Sequence, residues 1–159
     1  MKETVACRQC GAEAHVVHLE HIEGEDHGIQ VGMDGLAIYE CEHGHKRLAS
    51  PEYPVRFIDS LMKADDIPPV KPAEKKGLFR KHLHCTNCGE ELPHDASGDE
   101  CAKRTVSVEE ADPVDVEVRM PVYLCSKCGS RATVPPDEVQ KELVAAIEAG
   151  FRQAGVAPG

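Results

Sequence analysis

The chemistry within reach of this chain lies in short cysteine hooks. Cys85-Thr86-Asn87-Cys88-Gly89 and Cys125-Ser126-Lys127-Cys128-Gly129 are one pattern written twice: two thiols three positions apart, then glycine. Thiolates at this spacing can face a single cation from a tight turn, and the glycine takes the positive φ that such a turn requires. Two hooks supply four sulfurs, a full tetrahedral shell for Zn²⁺ with no position left open. A lone C-x-x-C would suit a redox dithiol equally well, but the repeat of hook plus glycine favours metal.

A third hook, Cys7-Arg8-Gln9-Cys10-Gly11, opens the chain, and Cys41-Glu42-His43-Gly44-His45 is a partial fourth. The two halves can be laid over one another. Cys7 and Cys10 precede Cys85 and Cys88 by 78 positions, while Tyr39, Cys41, Arg47 and Pro51 precede Tyr123, Cys125, Arg131 and Pro135 by 84. The offset falls in the loop between hooks, where insertion costs little, so the pattern implies an internal duplication. In that register Gly44 stands where Cys128 stands, and a neighbour must supply the fourth ligand. His45, at C-x3-H from Cys41, is the choice, with His43 as fallback because C-x-H makes a strained loop. The expected ligand sets are Cys7, Cys10, Cys41 and His45 for one Zn²⁺, and Cys85, Cys88, Cys125 and Cys128 for a second. Cys101 is left over and reads as a plain thiol.

These residues need elements to place them. A strand is expected over 14–22, a polar turn over 24–28, and a second strand over 29–39 broken near Gly32 and Gly35. Pro54 then opens a helix running to about Asp65 with Val55, Ile58, Leu61 and Met62 as its apolar stripe. In the second half, 92–100 reads as loop, and 104–109 and 114–124 as half-buried strands, with Val114, Val116, Val118 and Met120 on one face. A last helix is expected to be capped by Asp137 with Gln140, its inner face being Val139, Leu143, Ala146, Ile147, Gly150 and Phe151. His15, His18, His21 and His27 do not share a strand face and read as surface histidines.

The totals bound the rest. The 159 residues include no Trp, three Tyr and three Phe, so one large core is expected to be poorly supplied, with metal making up the deficit in two small units. The predicted units are an N-terminal module with its helix over 1–66, a Pro/Lys-rich linker over 67–81, and a C-terminal module with its helix over 82–159. The formal charge is −10, and two Zn²⁺ on seven thiolates take it to about −13. Such a chain is repelled by phosphate backbones. The exception is the linker, where Lys71, Lys75, Lys76, Arg80 and Lys81 face only Glu74. No segment approaches the roughly eighteen apolar residues of a membrane span. Paired hooks without a leader-like apolar run point to a reducing cytoplasm.

Hook, antiparallel strands, hook: the stretch Cys85–Gly129 resembles a zinc ribbon, and Cys7–His45 resembles a Cys3His variant of one. The resemblance implies an α+β chain of two small antiparallel zinc-ribbon modules in tandem, each followed by an α-helix, with two structural Zn²⁺. It leaves function open, because ribbons serve many machines. The expected role is a non-catalytic adaptor or regulator acting through protein–protein contact. The alternative is a nucleic-acid- or transcription-associated regulator using 71–81. The acidic pair Asp99-Glu100 resembles the tip of the RNA polymerase transcript-cleavage factor, but its surroundings do not follow that pattern and a solvated loop is expected. Rubredoxin shares the knuckles, yet a Cys3His site and sparse aromatics argue against it.

Overall fold

The computed structural model describes residues 2–26, 28–63, 71–72, 74–76, 82–109, 111–133 and 136–157. In chain order the elements are β1 (Thr4–Ala6), β2 (Glu13–Leu19), β3 (Ile22–Asp26), β4 (Ile29–Asp34), β5 (Leu36–Cys41), β6 (Lys46–Leu48), α1 (Tyr53–Lys63), β7 (Lys71–Pro72), β8 (Glu74–Lys76), β9 (His82–His84), β10 (Gly98–Val106), β11 (Val114–Leu124), β12 (Arg131–Thr133), α2 (Pro136–Gln153) and β13 (Val156–Ala157). The fold is therefore mixed α+β, and every pairing between strands is antiparallel except β12 with β7 and β13 with β6.

Alternation on β11 sets the centre. Val114, Val116, Val118 and Met120 are all buried on one face, as their period of two demands. Strand β10 runs along one edge of β11, and β4 pairs with the other from Asp34↔Asp115 to Gln30↔Arg119. A strand of the first half thus lies inside the sheet of the second. The order is β3-β4-β11-β12-β7, with β10 on the flank of β11, while β1-β2-β5-β6-β13 makes a separate sheet.

Helix α2 packs across β3 and β4. Leu143, Ala146, Ile147 and Phe151 form its buried face, as its sequence pattern predicts. Contact is close enough to exclude side chains: a Cβ on Gly24 would sit 1.8 Å from the Ala146 carbonyl oxygen and 2.4 Å from the Gly150 nitrogen. The chain then adds β13 in parallel to β6. The helix that ends the second half is seated on strands of the first.

Several expectations change. The core is not starved: Ile29, Val31, Met33, Leu36, Ile38, Val116, Val118, Leu143 and Ile147 belong to one buried cluster drawn from both halves. Aromatic count misjudged it because aliphatic side chains, each contributing about 1.5–3 kcal/mol on burial, fill this interior. On α1 the buried stripe is Tyr53, Phe57 and Leu61, with the two rings 5.6 Å apart, whereas Val55 is 65% exposed. The i, i+4, i+8 spacing of the larger residues decides the inner face. Met62 lies outside the described side chains.

Gly24 belongs to β3 and not to a turn, because α2 needs that position bare. Gly35 separates β4 from β5, while Gly32 stays within β4. Strand β10 starts at Gly98, so Asp99 and Glu100 occupy a strand and not a loop. The expected linker is described only at 71–72, which pairs with β12, and at 74–76, which pairs with β9. Helix α2 already includes Asp137, and the side chains of Asp137 and Val139 lie outside the described residues.

Candidate metal centres

Each knuckle is built by its own backbone. In the second half Gly89 N donates to the Cys85 carbonyl and Cys85 N to that of Glu90; likewise Gly129 N donates to Cys125 and Cys125 N to Ser130. The same pair of bonds closes the first hook, Gly11 N to Cys7 and Cys7 N to Ala12. Gly89 and Gly129 hold φ of 81° and 76°, a region L side chains avoid. The partial hook is one residue tighter, with Gly44 N bonding the Cys41 carbonyl and Cys41 N that of His45. In this structural register His43, directly before the glycine, stands where Cys128 stands.

The expected sets converge. The donor atoms of Cys7, Cys10, Cys41 and His45 all lie within 4.8 Å of one another, as do those of Cys85, Cys88, Cys125 and Cys128. In the first set His45 Nδ1 is 3.5 Å from Cys7 Sγ and 3.4 Å from Cys41 Sγ, and Cys10 Sγ is 3.8 Å from Cys41 Sγ. In the second, Cys85 to Cys128 is 3.6 Å and Cys88 to Cys125 is 3.5 Å. A tetrahedron with Zn–S of about 2.3 Å and Zn–N of about 2.0–2.1 Å has S–S edges of about 3.8 Å and S–N edges of about 3.5 Å. These separations fit such a shell and are far from the roughly 2.05 Å of a disulfide. His43 Nδ1 approaches one sulfur of the set, Cys10, at 3.3 Å and stays on the exposed side.

Burial is graded. Cys7, Cys41, Cys85 and Cys125, the first cysteine of each knuckle, are buried, while Cys10 and Cys128 face solvent. Around each set lies only a small apolar group: Ala14 and Tyr39 at the first, Leu92 and Ala132 at the second. At these two sites, then, metal could do what a core does in the main hydrophobic cluster.

Partners on the second set extend beyond the hook pattern. The Ser130 hydroxyl is 3.2 Å from Cys128 Sγ, and Asn87 Nδ2 donates to the same sulfur at 3.6 Å and to Ser130 Oγ at 3.2 Å. The Ser130 hydroxyl, its amide and Asn87 pull the Cys128 thiol down to about 5. Amides of Cys10 and Gln9 pull Cys7 down to about 6, and those of Cys128 and Lys127 lower Cys125. Cys88 goes the other way. The Glu90 amide lowers it, but burial and the sulfurs of Cys125, Cys128 and Cys85 push it up to about 12. Cys10 is likewise raised: burial, Cys7 and Cys41 outweigh the Ala12 amide. Without a cation, four thiols in one place cannot all ionise, and a cation reverses that.

The other candidates scatter. Cys101 is exposed on β10 with its thiol donating to Glu117 Oε1 at 3.1 Å; burial first, and then Glu117, raise its pKa and keep it a thiol. His18 bonds Asp112, His21 bonds Asp34 and Glu23, and His15 lies 4.0 Å from Glu13, so these three do not meet; His27 lies outside the described residues. Asp99 and Glu100 fall on opposite faces of β10, and Glu100 is paired with Arg131. No protein-family model, no curated protein and no solved structure matches this chain.

Proposed function

We propose that the protein is a non-catalytic adaptor or regulator, braced at two sites by structural Zn²⁺, which acts by presenting its surface to a protein partner. One observation carries this reading. Each four-donor set is complete in itself, so an ion there would have no free position for substrate. Cys7, Cys10, Cys41 and His45 would hold one ion, and Cys85, Cys88, Cys125 and Cys128 the other. The zinc-ribbon-like arrangement of hooks around antiparallel strands and the net charge of −10 accord with it. Reduced thiols suit a cytoplasmic setting. Among the described residues no helix is long and apolar enough to cross a membrane.

Metal analysis of protein purified without chelators is expected to find two zinc ions per chain, and Cys125→Ser to leave one. Protein purified without chelators that carries no metal would defeat the proposal. The adaptor role is tested by affinity capture with the zinc-loaded chain against Cys125→Ser, where a partner held by the first and lost by the second is expected. The alternative role, nucleic-acid or transcription-associated regulation through 71–81, keeps a specific basis in the cationic surplus of that stretch. It requires steeply salt-dependent DNA or RNA binding that weakens when Lys75, Lys76, Arg80 and Lys81 are neutralised. The adaptor reading expects none.

A further inference from the structure

Beside the second cysteine set lies a group that plays no part in it. Strand β9 leads into the Cys85 hook, and the chain leaving that hook turns back along β9, with Leu92 N donating to the Leu83 carbonyl and His84 bridging Glu91. Leu83 and Leu92 pack inward around the cysteines. Alternation therefore turns His82 and Glu91 to the outer face. His82 Nδ1 is 3.0 Å from Glu91 Oε1, and the His94 ring meets the His82 ring edge-on at 5.6 Å between centroids. One donor atom from each of His82, Glu91 and His94 lies within 4.8 Å of the other two.

We propose that His82, Glu91 and His94 form a third metal site, open to solvent and selective for a divalent transition ion such as Zn²⁺. Two imidazoles and a carboxylate are a borderline donor set that suits Zn²⁺, Cu²⁺ or Fe²⁺ over Ca²⁺ or Mg²⁺. Donor pairs around such an ion stand about 3–3.5 Å apart, which the His82–Glu91 pair already meets. His94 is exposed in the short segment between Glu91 and β10. Three protein donors leave at least one position for water or an incoming ligand, unlike the two closed sets. Unlike the thiolate sites, it exchanges its ion readily. Because the hook between His82 and Glu91 fixes their ladder, the site depends on the Cys85 knuckle. The inference is independent of the adaptor role.

The test starts from the full chain carrying two zinc ions. Equilibrium dialysis against micromolar Zn²⁺ is expected to add a third ion that a weak chelator strips while the first two remain. His94→Ala and Glu91→Gln, both at exposed positions, should each weaken that third binding by about tenfold or more and leave two tight ions in place. As a second readout, Co²⁺ added after the tight sites are filled should give weak visible bands without a sulfur charge-transfer band. Uptake that stops at two ions would overturn the proposal; so would a third ion retained in both variants, or one whose Co²⁺ spectrum shows thiolate.

Discussion

His43 and His45 compete for one role, and atomic placement separates them. His45 Nδ1 lies near two sulfurs of the first set, His43 Nδ1 near one and outside the common cluster. His45→Ala is therefore expected to weaken zinc at that site by about tenfold or more, while His43→Ala leaves both ions bound; competition with a chromogenic chelator reads the difference. Ser130 is the second residue to test. With its hydroxyl gone, the Cys128 thiol should titrate above about 5, and the pH midpoint of Cys128 alkylation in the metal-free chain should move up. The sign for stability follows. A thiol depressed from 9.0 to about 5 stabilises the metal-free fold fully above pH 9.0, and that contribution disappears as pH falls through 5. Cys88, raised to about 12, contributes in the opposite sense, below its ordinary value. Zinc binding at neutral pH must then release protons, those of Cys88 and Cys10 among them. Calorimetry in buffers of different ionisation enthalpy should detect the release.

At the scale of elements, the contact of α2 with β3 turns on two glycines. Gly24→Ala sets a methyl 1.8 Å from a helix carbonyl, so the helix must lift away. A loss of about 1–3 kcal/mol is expected in chemical denaturation. Gly150→Ala meets Met33 Cε at 3.1 Å and the Glu23 backbone at 3.3 Å, a milder clash. It also gains about 1 kcal/mol in helix propensity, so the two effects nearly cancel and Gly24→Ala should be clearly the worse. The knuckles behave differently. Their backbone bonds hold short turns around small apolar groups, and only a cation keeps four thiolates together. Chelation should therefore expose the amides of Cys85, Gly89, Cys125 and Gly129 to hydrogen exchange while those of β4 and β11 stay protected.

For the whole molecule, the shared sheet and the seat of α2 predict interdependence. A fragment 82–159 would keep the set Cys85, Cys88, Cys125 and Cys128 but lose β3 and β4, leaving Leu143, Ile147 and Phe151 uncovered. It is expected to bind zinc yet show no cooperative thermal unfolding, and adding a fragment 1–66 should restore the transition. In the intact chain, Leu143→Ala should cost about 2–5 kcal/mol with both zinc ions retained, a separation of core from metal that denaturation and metal analysis together can check.

Whatever depends on short spacing can be read from the residues in order. C-x-x-C-G dictates a knuckle because the backbone closes it locally, so the three full hooks at Cys7, Cys85 and Cys125 were legible residue by residue, whereas which hook meets which, and His45 rather than His43, rests on tertiary placement. Equally legible were the alternation of Val114, Val116, Val118 and Met120 and the inner face of α2, since strand and helix periods are local. Tertiary structure alone decided which element covers which. Nothing local tells β4 that its neighbour is β11, or α2 that Gly24 is left bare for it; such pairings follow from which arrangement buries the most apolar surface across the chain. The same holds for His82, Glu91 and His94, whose separate positions in the chain become a cluster only when the ladder after the Cys85 hook folds back.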